Sequence, residues 1–476
     1  MLDVTGLLNA PAPWEAHGAT APLPPGLAAI LAEWPGKAAD FFATSGTAED
    51  TIRRAGFRAP GLVFGDAADR HELAPGTLSA LQQAVTALAG QAQPHRLVLT
   101  GPIRWDGTLL IDDVAGVTLD FSAARIEVLQ DSAPLIRLTR SQRVTIRGLR
   151  LGQRHATAVD ISASQDVALT DMAIAGASDQ AVRLSGGAAR VLIDRSAFLR
   201  NSGPGLRALG EVAQVILSRC AFEGPSRRAF VELSAAHSPR GYAAPEGGGE
   251  ASPRDALTRM APTDVRILEN RFGALDQAAV EAQGTLGLWL ERNDFAGAAA
   301  GALRLSGPAV GLMLADNRIG APPDAGAPLI RLSDVALACV FRNTAEPAAQ
   351  AALVVEGGFG GLLVAANSLM VAPVPGQSRA SSAIRLAPQD RASFLSTTLM
   401  LNTMRGPFGS GITLTGALPR LFLFDNHLFG MTEWSLESRV AQPMATSMNN
   451  WSPVKSLNLP LSEVLIDVAR MVRSEG

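Results

Sequence analysis

Two glutamates in this chain occupy the middle of matching apolar phrases, Glu232 in VEL and Glu281 in VEA, and arginines hold the same place in LRA (Arg207) and LRL (Arg304). A carboxyl pair bracketed by guanidinium groups suits acid–base or nucleophilic work: one carboxyl delivers a proton while the other takes one or attacks. A second set, His237, Arg240 and Tyr242, lies in the Gly/Pro/Ala-rich stretch AAHSPRGYAAPEGGGEASPRD, and Tyr242 is the only tyrosine in the chain. His and Tyr are acid/base groups, and Arg can pair with a carboxylate or steady an enolate-like charge. Metal chemistry has no counterpart here: there are 6 His and 2 Cys, with no HExxH and no CxxC spacing. No Gly-rich phosphate loop stands between a strand and a helix, and Lys occurs only at Lys37 and Lys455, so no lysine base falls in the middle of the chain. No cofactor is expected.

The elements that must position these groups announce themselves by a phrase recurring about every 24 residues: VRILENRF from Val265, LWLERNDF from Leu288, LMLADNRI from Leu312, LFLFDNHL from Leu421. Its Asn column runs Asn270, Asn293, Asn317, Asn343, Asn367, Asn402, Asn426, preceded at the same place by Leu149, Met172, Ser196 and Cys220. A fixed period of this length is the mark of a solenoid. Each unit holds three short strands, as in AVRLSGGAARVLIDRSAFL at 181–199. Stacked coils place equivalent side chains about 4.8 Å apart, so the Asn column is a structural ladder at a bend requiring left-handed geometry. Alternation on the first strand of each unit makes an outward column of Asp160, Arg183, Arg207, Glu232, Glu281, Arg304, Arg331, Val354, Arg385 and Thr413. Opposite charges one strand apart would also form modest salt bridges there and keep the sheet soluble.

One interval is wrong in length: Cys220 and Asn270 stand 50 residues apart, where one coil needs about 24. If the extra residues are a pure excursion, Glu232 and Glu281 fall on adjacent strands about 4.8 Å apart. If DALTRM (255–260) is itself a first strand, Thr258 intervenes and the two glutamate strands lie roughly 9–10 Å apart. The second alignment is favoured, because Phe230 to Ala256 is about one coil long. The first spacing approaches a retaining carboxylate pair and the second an inverting one.

Hydrophobic residues make up 47% and charged ones 18% of the 476, a folding composition, and 46 Gly with 30 Pro supply many turns. A net charge of −3 gives no pull toward nucleic acid or an anionic membrane, and no apolar run is long enough for a membrane span. The start, MLDVTGLLNAPAPWEAHG, lacks a signal peptide's basic head and apolar stretch, which leaves export and cytoplasm both open. Cys220 and Cys339 fall about five coils apart in core columns, roughly 24 Å and too far for a disulfide, so both read as buried small hydrophobes. The expected organisation is an N-terminal helical or irregular segment (1–75, with LPPGLAAILAEW and TAEDTIRRAGF helical), a capping helix (76–95), a solenoid (96–435), and a tail (436–476) in which LSEVLIDVARMVR forms a C-terminal helix.

Three strands per coil of 22–26 residues with a sharp Asn bend resemble the right-handed, single-stranded parallel β-helix of the pectate-lyase-like superfamily, over roughly 96–435 and about 12 coils. The resemblance implies that substrate lies along the first-strand sheet, where the odd interval begins. It implies a polysaccharide lyase or glycosidase on an acidic chain, with His237, Tyr242, Glu232 or Glu281 as catalytic groups and Arg183, Arg207, Arg240 and Arg304 binding carboxylates; β-elimination from a uronic-acid polymer would suit the His–Arg–Tyr set. The superfamily's Asp-rich and GHG motifs, its row of calcium-binding Asp and its Lys/Arg pair are absent here. A non-catalytic structural, adhesive or tailspike-like glycan-binding β-helix, which would self-associate as for example a trimer, and a cytoplasmic scaffold therefore stand beside the enzyme.

Overall fold

The computed structural model describes residues 47–54, 69–235, 261–297, 301–320, 327–371, 380–388, 396–440 and short pieces of 442–467, less a few positions within those ranges. They form a parallel β-solenoid of about 12 coils with three parallel sheets. Two compact units can be distinguished: 46–237 with 260–302, and the chain from Leu303 onward. In the first, consecutive coils pair strand for strand; Ala188–Asp194, for example, lies between Gln165–Thr170 and Val212–Ser218, with Val191 in register with Val167 and Val215. In the second, Val335–Phe341 lies between Ala309–Ala315 and Gly360–Ala365 in the same manner.

Stacking one residue type at one position builds the interior. Phe198, Phe222, Phe272 and Phe295 form a continuous pile in the first unit, with ring centroids 4.9, 4.9 and 4.8 Å apart and planes nearly parallel, which is the strand spacing repeated in the rings. The Asn ladder is equally regular. In the second unit the Asn343 Oδ1 accepts from both the main-chain N and the Nδ2 of Asn317, at 3.0 and 2.9 Å. Asn343 repeats this onto Asn367, Asn367 onto Asn402, and Asn402 onto Asn426. Asn426 donates in turn to Asn450, a rung that the phrase pattern did not reach.

The left-handed bend sits one residue earlier than the sequence suggests. Glu269, Arg292, Asp316, Arg342, Ala366, Leu401 and Asp425 carry φ between 47 and 56°, and each precedes an Asn. The asparagines are the buried members of the corner: turning the preceding residue left-handed aims the amide inward, where it satisfies main-chain groups that the bend strips from the sheets.

A short strand, Asp69–Leu73, pairs with the start of His95–Trp105, so pairing begins inside the segment expected to be free of it. The expected capping helix is present as Leu78–Ala87 (α2), with Thr77 as its N-cap and Leu78, Leu81 and Val85 buried. Its Gln82 side chain accepts from the Leu110 main-chain N (2.8 Å) and donates to the Leu110 carbonyl (2.9 Å). The cap thereby pairs the edge of the strand Leu109–Asp112 as well as covering core. At the other end, the C-terminal helix expected over 461–473 falls largely outside the described residues. Its described part, Leu465–Asp467, is a strand in register with Ala445–Ser447, where an open sheet edge offers main-chain partners.

Ala48–Arg54 (α1) also lies in a segment read as helical, but it caps nothing. Ala48 and Ile52 pack on Ala168, Leu192, Ile216 and Leu268, outward residues of the second-strand sheet in successive coils, and the Ala48 N–H donates to Glu269 Oε1 at 2.8 Å. A helix of two turns has little stability of its own, so this seat holds it. Ile52→Ala is expected to cost about 2–4 kcal/mol in denaturant unfolding; a loss below about 0.5 kcal/mol would mean that the seat contributes nothing.

Both cysteines are free and buried. Burial pushes each thiol up to about 12. Cys220 stands in the interior column as expected, but Cys339 does not. It is in register with Met313 and Leu363, on the outward side of the second sheet, between the inward Ala338 and Val340. Trp289, on a strand of the same sheet in the first unit, likewise faces outward and lies under the Arg266 guanidinium, 4.9 Å from the ring centroid.

Candidate functional site

The first-strand sheet of the 46–302 unit carries the charged column in the order read from the sequence. Arg137, Asp160, Arg183, Arg207, Glu232 and Glu281 stand in register on six consecutive strands. Each alternates with buried Val, Leu, Ile or Ala neighbours, so the six heads project from one face. Asp160 is almost fully buried and takes a two-pronged grip from Arg183, at 2.8 and 2.6 Å, with Arg137 on its other side at 3.3 Å. Arg183, expected to bind substrate, is thus committed to Asp160 within the column. Arg137 was missed, although LIRL at 135–138 repeats the LRL phrase one coil earlier.

Glu232 and Glu281 are direct neighbours. Val231–Ser234 pairs with Val280–Gln283, Glu232 opposite Glu281, and no strand intervenes. The favoured reading, with Thr258 between them and a 9–10 Å gap between strands, is therefore wrong. The reason lies in the adjoining sheet: Val212–Ser218 pairs directly with Thr263–Leu268, and the Cys220 N–H donates to Asn270 Oδ1 at 2.9 Å. The solenoid closes across the odd interval as if the excess were not there. The two glutamate strands are one spacing apart, about 4.8 Å.

Glu232 is the less exposed of its ion-pair partners, its side chain 15% accessible. Arg207 Nε approaches its Oε2 at 3.3 Å, and Arg228 Nη1 at 3.7 Å from the turn that leads into the strand. Burial pushes the Glu232 carboxyl above its ordinary value; Arg207 and Arg228 pull it back, and the charges of Glu281 and Asp179 push it further. Asp179, exposed at the start of the strand Ala177–Ser185, accepts from the buried Gln180 amide at 2.8 Å. Neither Arg228 nor Asp179 was anticipated. Arg228 sits four residues before Glu232 in SRRAFVEL, a spacing whose meaning depends on how the turn folds back, and Asp179 lies outside the alternation altogether.

The unit from Leu303 continues the same kind of column with Arg304 opposite Arg331, Arg331 opposite Val354 and Val354 opposite Arg385. Arg331 pairs with Glu356 at 2.7 Å. Although burial opposes it, hydrogen bonds from Arg331 and Ser333 hold the Glu356 carboxyl below its ordinary value. Arg304 is exposed and makes no ion pair among the described residues. His237, Arg240 and Tyr242 lie outside the described residues. Among the described residues no group of three or more His, Cys, Asp or Glu is arranged to hold a metal, and no helix is long and apolar enough to cross a membrane.

No protein-family model matches the chain, and no curated protein is similar to it in sequence. Solved structures resemble it at low identity. The chain is similar to PfbA, a surface adhesin of Streptococcus pneumoniae, at 12% identity and TM-score 0.43, over 85% of this chain and 94% of that one. It is similar to the periplasmic alginate epimerase AlgG at 12% identity and TM-score 0.42, over 89% and 88% of the two chains. It is also similar to endopolygalacturonase I from Stereum purpureum, at 9% identity and TM-score 0.41, over 77% and 99%. The strand registers themselves make the chain a parallel β-helix, with a paired glutamate step on the face of its first sheet.

Proposed function

We propose that the chain is a glycan-directed β-helix whose Glu232–Glu281 step cleaves glycosidic bonds. The observation that carries this reading is the register of the two glutamates on adjacent strands, one of them half-buried between Arg207 and Arg228 with its carboxyl held toward the protonated form. Glu232 is then the acid that protonates the leaving oxygen, and Glu281 the carboxylate that attacks or activates water. One strand spacing between them favours retention of configuration. Arg207 and Arg228 keep the Glu232 carboxyl in place and offset part of the upward shift that burial imposes. Exposed Arg304 and Arg385, in the unit from Leu303, favour a chain bearing carboxylates.

A lyase is the second chemistry, with His237 or Tyr242 moving the proton and Arg240 steadying the enolate-like charge; the sole tyrosine of the chain, beside a histidine at the odd interval, favours it. A third reading is a non-catalytic glycan binder, favoured by the commitment of Arg183 to Asp160 and of Arg207 to Glu232, as in a sheet held by its own charges. One assay separates them. Purified protein is incubated with a panel of neutral and acidic polysaccharides, following reducing ends and the ultraviolet absorbance of unsaturated uronates. New reducing ends without absorbance support the hydrolase, absorbance supports the lyase, and retention of an oligosaccharide without either supports the binder.

A further inference from the structure

The coil that carries Glu232 is joined differently from its neighbours. Gly210 and Glu211 alone link the first strand Leu206–Leu209 to the second, Val212–Ser218, and Gly284 and Thr285 alone link Val280–Gln283 to Leu286–Glu291. In the Glu232 coil, residues 235–262 stand between Val231–Ser234 and Thr263–Leu268. Closing a long connection costs more chain entropy than closing a tight turn, so the chain itself tethers the second strand of this coil only loosely to its first. Thr263–Leu268 nevertheless pairs in continuous register with Val212–Ser218 on one side and Leu286–Glu291 on the other.

We propose that α1 is a clasp that does the work of the missing turn, holding Thr263–Leu268 in register and so positioning the Glu232–Glu281 step. One outward column of the second sheet runs Thr118, Thr145, Ala168, Leu192, Ile216, Arg266 and Trp289. Its aliphatic run, Ala168 to Ile216, takes in three strands and is about 10 Å long, the length of a seven-residue helix. In the adjacent column Thr170, Asp194, Ser218 and Glu291 are polar, and Leu268 is the apolar exception. The apolar seat thus steps sideways at the very strand that the long connection leaves loose. Beneath Ala48 and Ile52 the seat is dry: Ala168 is 0% exposed, Leu192 2%, Ile216 3% and Leu268 1%. A polar tie completes it. Glu269 Oε1 accepts from the Ala48 N–H at 2.8 Å and from Arg292 Nε at 3.1 Å, and Arg292 directly follows the second strand of the Glu281 coil. α1 therefore touches the preceding coil at Ile216, the Glu232 coil at Leu268 and Glu269, and the Glu281 coil through Glu269. Ile52 is a positioning residue in this arrangement, acting on the glutamates through the strand it seats. What the register serves rests on the proposed chemistry; the clasp itself does not.

Hydrogen exchange of the full chain, read strand by strand by mass spectrometry, tests the clasp. Ile52→Glu puts a charge into the seat. It should speed exchange of Thr263–Leu268 at least about 10-fold and of Val231–Ser234 about 3-fold. Ala188–Asp194 is the control: it carries Leu192 and loses the same cover, but Gly186 and Gly187 alone tie it to its first strand. Its exchange should stay within about a factor of two, and Ile52→Leu should leave all three strands as in the native chain. Excising 236–260 leaves Ala235, Ala261 and Pro262 to join the strands. In that shortened chain Ile52→Glu should change Thr263–Leu268 by no more than about two-fold. If the charged chain fails to fold, Ile52→Ala carries the same comparison with smaller changes of the same sense. Equal acceleration of Ala188–Asp194 and Thr263–Leu268 overturns the proposal, since α1 would then be packing and nothing more. So does the absence of any acceleration, or a shortened chain as sensitive to Ile52→Glu as the full one. Exchange reports register whether or not the step cleaves, so a failed cleavage assay leaves this result standing.

Discussion

Glu232→Gln should abolish cleavage, lowering kcat by about 10²–10⁴-fold while leaving oligosaccharide retention within a factor of a few. The amide keeps the shape of the side chain and its contacts at Arg207 and Arg228 but has no proton to give. Glu281→Gln should fall in the same range, and the double variant should be little worse than either single one, because the two carboxyls act as a unit. The pH profile carries the more specific expectation. Burial raises the folded-state value of Glu232 above the ordinary 4.5. The protonated acid therefore survives to higher pH than in a free glutamate, and activity should fall as pH rises through that shifted value. The same shift is a stability cost that is absent below the unfolded value and appears as pH climbs through the folded one. Neighbouring charges should move the falling limb in opposite senses: Arg228→Gln removes a charge that lowers the value and shifts the limb up, whereas Asp179→Asn removes one that raises it and shifts the limb down. A limb that ignores both substitutions would mean that another group is the acid.

Much of this arrangement was legible because a solenoid repeats its evidence. The period located the coils, and the alternation in LRA, VEL and VEA placed Arg207, Glu232 and Glu281 on one outward column without any knowledge of tertiary structure. What failed was whatever occurs once. The interval between Cys220 and Asn270 has the length of an added coil, and length alone cannot distinguish an added coil from an excursion; only the pairing of Val212–Ser218 with Thr263–Leu268 decides it. Arg228 and Asp179 act on Glu232 from a turn and a strand entry, where no alternation constrains which way a side chain points. Cys339 was assigned to the interior because apolar residues run through VALACVF without a polar one to mark the outward positions. Apolar residues at both alternating positions leave the two faces of such a strand indistinguishable in the sequence. The left-handed residue was misplaced by one for a related reason: Asn is the usual left-handed residue, but here the invariant amide does the bonding and the preceding position, occupied by Glu, Arg, Asp, Ala or Leu, does the turning.

That division of labour makes the interior amide, and not the bend, the sensitive point, and Asn343→Ala is the stability change expected to be largest. Asn343 is fully buried. Its Oδ1 is an acceptor for the main-chain N–H of Asn317, and its Nδ2 donates to the Leu314 carbonyl at 2.8 Å and to Asn367 Oδ1 at 3.0 Å. Alanine removes these bonds together, leaves the Asn317 main-chain N–H and the Leu314 carbonyl facing a space the size of an amide, and admits no bulk water to replace it. Each orphaned buried group costs about 1–3 kcal/mol, so a loss of about 3–5 kcal/mol is expected in chemical unfolding. Asn343→Asp separates the donor from the acceptor. Ionised, it keeps an oxygen for Asn317 but turns a second one toward the Leu314 carbonyl and Asn367 Oδ1, so at neutral pH it should be no better than alanine. Protonated, it regains one donor. Burial raises its carboxyl in the folded state, so the stability of the Asp variant relative to wild type should improve as pH falls through that raised value, while the Ala variant shows no such recovery. If alanine costs less than about 1 kcal/mol, or if the Asp variant gains nothing on acidification, the repeating Asn marks the coils without holding them together.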